Sequence, residues 1–217
     1  MEPLILYFVL FFPAVYAQPF STGAVTGVIP FSILGELGRT LTYTMPALAL
    51  LWYIIPERKG FSALKQEKPR IQDLFSFIIG LPALIITGIG ISLLVSLFSG
   101  YSDMALPPLV EGPANVYGWI VMVFSCLCTG YLEESYFRYY LLTKLEYPVS
   151  STTVKVLLTT VLFSLCHVYE GPWGIANAVI AAVILSLIFI RFRSLHGIAL
   201  AHGAYNIFVY AMGNYIN

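Results

Sequence analysis

The chain is predicted to be an all-α integral membrane protein, a bundle of about seven transmembrane helices forming a single membrane domain over residues 1–217. Composition points there first. Hydrophobic residues make up 59% of the sequence and charged residues only 10%, whereas a soluble domain carries about 25% charged residues. Long apolar segments alternate with short polar or Pro/Gly-rich connections, and no barrel-like alternation of about ten residues appears. Lysine and arginine fall on alternate connections, as they do in helical membrane proteins.

The first apolar segment, 3–20, follows Met1-Glu2-Pro3 and has no basic residue before it. Val15-Tyr16-Ala17 before Gln18 resembles a signal-peptidase site, but without a basic n-region the segment is expected to be a retained helix. Segment two, 29–55, lies between the breaks at Pro30 and the polar run 56–73. Segment three, 72–98, ends where Gly100 to Pro113 interrupts the apolar pattern. Segment four, 115–143, stops before Pro148–Ser151. Segments five and six, 153–168 and 174–190, are shorter than the about 20 residues a span needs, and are expected to extend into their flanks around Gly171-Pro172. Segment seven, 195–213, follows the polar break 191–194. Trp52, Trp119 and Trp173 all lie near segment ends, where an interfacial aromatic belt places them.

The basic residues orient the bundle. Arg58, Lys59, Lys65, Lys68 and Arg70 follow segment two; Lys144 and Lys155 flank the turn after segment four; Arg191 and Arg193 precede segment seven. Connections 21–28, 99–114 and 169–173 contain neither lysine nor arginine. Alternating spans put all nine residues on one side, assigned to the cytoplasm, with the amino terminus cytoplasmic and the carboxyl terminus outside. Zero net charge argues against nucleic acid as a partner. The bilayer itself is the partner that composition implies.

Against this background Glu133, Glu134 and Arg138 stand out, because an insertion scale charges roughly 2.5–3.5 kcal/mol for such a residue near a helix centre. Glu134 and Arg138 are four apart and share a helix face, so each lowers the cost of burying the other. Glu133 points about 100° away and has no cation within the motif, which suits a carboxylate that takes and returns a proton. A structural ion pair with a second, snorkelling glutamate is the alternative. His167 ends Phe163-Ser-Leu-Cys-His167 and reads equally as a helix-to-helix hydrogen bond or as an acid–base group. His202 and Asn206, also four apart, offer either an interhelical polar clamp beside Gly197, Gly203 and Ala204, or two donors for a developing oxyanion. At 1.5 Å rise per residue, Glu133 lies ~16 Å from Lys144, His167 ~18 Å from Lys155 and His202 ~13 Å from Arg193, a common depth that favours one shared site.

Other polar residues read more simply. Glu36 and Arg39, three apart, are expected to form a structural ion pair; His196 is expected at the interface, and Glu170 in a loop. Gly23 and Gly27 straddle a connection and make a weak packing motif. Cys126, Cys128 and Cys166 sit in apolar segments and match no recognised metal-ligand spacing. No His-Glu-x-x-His, Gly-x-Ser-Gly or Gly-x-Gly-Asp sequence occurs. Glu133, His167 and His202 are ligand types that suit zinc, a possibility that spacing alone leaves open.

The three motifs, Glu133-Glu134-x-x-x-Arg138, Phe163-x-x-x-His167 and His202-x-x-x-Asn206, resemble in order those of the CPBP family, which includes type II CAAX prenyl endopeptidases and proteins of bacteriocin maturation and immunity. The resemblance covers about residues 115–213; residues 1–114 supply helices without a recognised motif. It implies a glutamate-dependent intramembrane endopeptidase, reached from the cytoplasmic side and acting on a membrane-anchored or lipidated peptide or protein. Glu133 and His167 would activate water, His202 and Asn206 would stabilise the oxyanion, and Glu134, Arg138 and Phe163 would support them, with no metal cofactor. The other readings are a family-like membrane protein without hydrolysis, serving immunity or partner binding, and a small transporter or proton relay. The residues name neither a particular substrate nor an oligomeric state.

Overall fold

In a computed structural model, residues 2–16, 31–55, 70–98, 111–145 and 149–213 are described. The described residues are helices, turns and short connections, as an all-α membrane fold requires. The helices are α1 (Glu2–Tyr16), α2 (Ile33–Arg39), α3 (Met45–Ile54), α4 (Ile71–Phe98), α5 (Val116–Glu134), α6 (Thr152–Leu165), α7 (Gly171–Phe192) and α8 (Leu195–Gly213). Ala17 and Gln18 of the signal-peptidase-like sequence, the Gly23/Gly27 pair, and Arg58, Lys59, Lys65 and Lys68 lie outside the described residues.

Among the described residues, three stretches are both long and apolar enough to cross a membrane: Ile71–Leu97, Val116–Leu142 and Val168–Phe192. The remaining expected segments are helical but shorter, interrupted or more polar. Segment two is one continuous rod in which α2 passes into a π-helical stretch, π1 (Thr40–Thr44), and then into α3. Segment four likewise runs from α5 into π2 (Ser135–Leu142). Local caps explain the helix starts. The Asn115 side chain accepts the Gly118 N–H before α5, Ser151 caps α6 through Val154 N–H, and Pro172 opens α7 where its missing N–H costs nothing.

Lipid explains the outer surface. Along α4, Ile78, Ile86, Leu93 and Leu97 are 54%, 69%, 60% and 69% exposed, an apolar face that water would penalise and a bilayer accepts. Inside, α5 packs on α8, α4 lies across α7 and α8, and α6 packs on α7. The α5–α8 approach is close because Gly130 has no side chain; a Cβ there would stand 2.8 Å from Ala199 O and 2.9 Å from Gly203 N. Gly197 plays the same part for α4, where a Cβ would meet Asp73 O at 2.3 Å.

The amino-terminal helix belongs to this core. Leu6, Tyr7, Leu10 and Phe11 of α1 are buried against Tyr136 and Phe137 of π2. Tyr136 donates to Pro3 O at 2.6 Å, Tyr7 donates to Leu162 O at 3.0 Å, and Tyr43 donates to Leu10 O.

Candidate active site

The site forms where α5 turns into π2, faced by the end of α6 and the middle of α8. Glu134 is the last residue of α5 and is fully buried; Arg138 lies one turn on, 1% exposed. Arg138 Nη1 donates to Glu134 Oε1 at 2.9 Å, and Nη2 donates to Ala182 O of α7 at 3.3 Å. The guanidinium also lies over the Phe163 ring, 4.6 Å from its centroid, so cation–π attraction adds to the ion pair. Together these contacts compensate a charge pair that would otherwise be too costly to bury.

His202 reaches the same carboxylate from α8, its Nδ1 standing 2.8 Å from Glu134 Oε1. A carboxylate only accepts, so Nδ1 carries the proton and Nε2 is turned toward Glu133, 3.7 Å from Oε2. Glu133 Oε2 is buried and has no hydrogen-bond partner among the described residues. Glu133 and Glu134 therefore flank one imidazole, the first facing its free nitrogen and the second fixing its tautomer.

Phe163 is the wedge that joins the third motif residue to this group. Its ring is 1% exposed and lies 4.5 Å, centroid to centroid, from His167 and 6.1 Å from His202. His167 was expected within segment five, but α6 ends at Leu165, and His167 sits in the turn that follows, with φ −111° and ψ 11°. A short 3₁₀ turn, Val168–Glu170, and Gly171 at φ 77° then carry the chain into α7, so the breaker acts three residues earlier than the apolar pattern indicates. His167 Nδ1 is 2.9 Å from Phe163 O, which orients the ring. No direct hydrogen bond joins His167 to Glu133 among the described residues; the imidazole that faces Glu133 is that of His202. Asn206, one turn beyond His202, is half-buried and makes no hydrogen bond among the described residues.

Six of the seven motif residues are thus linked through one chain of contacts, whereas Asn206 shares only its helix with His202. Among the described residues, no three His, Cys, Asp or Glu side chains gather as a metal-holding set.

Residues away from the motifs adjoin the site. Glu36 and Arg39 do pair, at 2.7 Å, but they also recruit α5: Arg39 Nη2 donates to Ser125 Oγ, and Ser125 Oγ donates to Glu36 Oε2, both at 2.7 Å. Arg39 Nη1 reaches Thr129 Oγ1 at 3.4 Å. Ser125, Thr129 and Glu133 recur every four residues on one face of α5, a signal present in the sequence but not in the motifs. The interfacial reading of His196 gains a specific contact, Tyr131 Oη at 3.0 Å from its Nδ1. Glu170 is half-buried at the start of α7, its carboxylate folded over Gly174, rather than a free loop charge.

Residues 115–208 match the family model described as type II CAAX prenyl endopeptidase Rce1-like. That stretch contains every motif residue from Glu133 to Asn206, so the resemblance carried by the motifs is shown there. No curated protein and no solved structure gives a significant match.

Proposed function

We propose that this chain, whose residues 115–208 are Rce1-like, is an intramembrane endopeptidase that uses Glu133 as its general base. At the family level the segment is that of a CAAX-type endopeptidase; the residue roles and substrate that follow are our own reading. One observation carries it: two carboxylates flank a single imidazole, one locked by Arg138 and the other left without a hydrogen-bond partner among the described residues. A purely structural cluster would have no use for the second carboxylate.

In this mechanism Glu133 holds a water, which His167 helps to activate, and takes its proton as the hydroxide attacks the scissile carbonyl carbon. The carbonyl oxygen becomes an oxyanion, met by His202 Nε2–H and the Asn206 amide. Donation from Nε2 requires the imidazolium, which the ionised Glu134 favours by accepting from Nδ1. Glu133 then returns its proton to the leaving nitrogen, so one water is consumed and a carboxylate and an amine are released. Lipid-facing helices around the site suit a substrate that is itself membrane-anchored or lipidated.

Glu133→Gln keeps the shape of the side chain and removes the base. Cleavage of membrane-anchored peptides by the purified protein should fall by about 10²- to 10⁴-fold, with the helical content retained. Wild-type cleavage rates in a folded Glu133→Gln protein would defeat the proposal.

A further inference from the structure

We propose that the cavity lined by Lys155 and Arg193 is a phosphate-binding site, and that it takes the headgroup phosphate of an anionic membrane phospholipid. The inference uses none of the motif residues and stands apart from the peptidase reading.

The cavity lies where three elements meet at their ends. Leu142 closes π2, Thr152 and Lys155 belong to the start of α6, and Ile190 and Arg193 to the end of α7. Its volume is about 70 Å³. At about 10–15 Å³ for each water-sized group, that is room for the oxygens of one phosphate. Cationic, hydroxyl and aliphatic side chains line it, with no carboxylate among them. Arg70 adds a third cation alongside through its 2.6 Å bond to Arg193 O. The Asp73 carboxylate at this end accepts from Ser194 Oγ and the Arg70 N–H.

Both lining cations stand where local structure disfavours them. Lys155 is the fourth residue of α6, near the positive end of the helix dipole, and the first turn carries no acid to offset it. Its ammonium makes no hydrogen bond or ion pair among the described residues. Arg193 sits at φ 50° and ψ 41°, the one non-glycine residue in the left-handed region among the described residues. Glycine holds that conformation without strain, so a long cationic side chain there departs from what the turn alone prefers. An anion in the cavity accounts for both departures. It pairs with the two cations together, at a helix start that itself favours negative charge.

The surroundings point to the source of the phosphate. Val154 and Leu158 on α6 and Leu187 on α7, close in sequence to the lining residues, are exposed apolar side chains suited to acyl chains. The apolar stretch Val168–Phe192 ends immediately before Arg193, so the cations stand at its edge, where headgroups begin. Basic pockets between helix ends select anionic headgroups. A choline headgroup would instead bring its ammonium toward like charges.

The test titrates the purified protein in neutral detergent with dioleoyl phosphatidylglycerol, dioleoyl phosphatidylcholine, dioleoylglycerol or sodium phosphate. Native mass spectrometry reads bound ligand, and unfolding midpoints are measured with and without each. The wild type should bind phosphatidylglycerol about 10- to 100-fold more tightly than phosphatidylcholine or dioleoylglycerol, the worth of one charge-assisted hydrogen bond. Lys155→Gln and Arg193→Gly should each lose that preference, whereas Lys155→Arg should keep it. Without lipid, Lys155→Gln and Arg193→Gly should unfold no lower than wild type, because one relieves the dipole and the other the left-handed backbone. Arg191→Gln removes an exposed charge that lies outside the cavity lining. It should weaken binding by no more than about fivefold, the effect of one basic residue near an anionic surface. Sodium phosphate that binds as tightly as the lipid, with the same dependence on Lys155, keeps the phosphate site and overturns its lipid occupant. Absence of both the lipid preference and phosphate binding overturns the inference, as does an equal loss in Arg191→Gln and Lys155→Gln. A Lys155→Gln protein that is less stable than wild type without lipid makes Lys155 structural and overturns it too. Should Arg193→Gly fail to fold, Lys155→Gln against Lys155→Arg decides.

Discussion

Glu133 and Glu134 are neighbours in sequence and opposites in circumstance. Glu134 Oε1 accepts from Arg138 and His202 in a site that is fully buried. Making Glu134→Gln removes the charge that Arg138 was buried against and the acceptor that fixes His202. Breaking such a pair costs about 3–5 kcal/mol, far more than the pair itself contributes over an apolar replacement. Glu133 has no hydrogen-bond partner among the described residues, so Glu133→Gln should leave stability within about 1 kcal/mol of wild type. Denaturant unfolding in detergent micelles distinguishes the two: equal losses would mean that Glu134 is not the structural anchor. Of these relations the sequence made one legible, the Glu134–Arg138 pair, because four residues on a helix bring side chains together whatever the tertiary fold. The His202–Glu134 bond spans 68 positions and depends on how α8 docks. No local spacing encodes it, so the sequence pairs His202 with Asn206 and, by depth, groups it with Glu133 and His167, but does not assign it to Glu134.

Helix docking therefore decides the site, and the α5–α8 seam is where it is decided. Gly130 lies one turn before Glu134, and its missing Cβ lets the Ala199–Gly203 backbone approach, with His202 between those positions. Gly130→Val would place carbon against backbone atoms that cannot rotate away. We expect a loss of about 1–3 kcal/mol by overpacking, together with a fall in cleavage as His202 is pushed from Glu134. Gly90→Ala on α4, where a Cβ meets nothing within 4 Å, should be neutral or slightly stabilising and serves as the matched control. Unfolding midpoints and cleavage rates of both variants check this; a Gly130→Val protein as stable and active as wild type would contradict it. Hydropathy located every helix in this seam but could not show its winding. Segment four reads as one apolar span, yet from Ser135 it is π-helical, and all eight residues of π2 are buried. Segment five reads through His167 because Leu165, Cys166 and Val168 are all apolar, whereas the backbone turns there to reach Gly171.

Across the whole molecule, three basic residues, Arg70, Lys155 and Arg193, meet at one end of the bundle. Lys155 and Arg193 line one cavity with Leu142, Thr152 and Ile190, while Arg70 donates to Arg193 O at 2.6 Å. Asp73 fastens the same end by accepting from Ser194 Oγ and from the Arg70 backbone N–H. The charge asymmetry read along the chain thus becomes a geometric one. We propose from the positive-inside rule that this end faces the cytoplasm, which would send the start of α5 to the opposite side. Tyr117, 78% exposed at that start, and Lys155 at the basic end are suitable reporters. In intact cells, a membrane-impermeant thiol reagent should label Tyr117→Cys, whereas Lys155→Cys should react only after permeabilisation. Each variant is read against the parent chain, whose Cys126 and Cys166 are buried and whose Cys128 is half-buried. The reverse pattern would invert the molecule and place the site's approach on the outer face. Labelling of both without permeabilisation would mean that the two ends do not lie on opposite sides of a membrane at all.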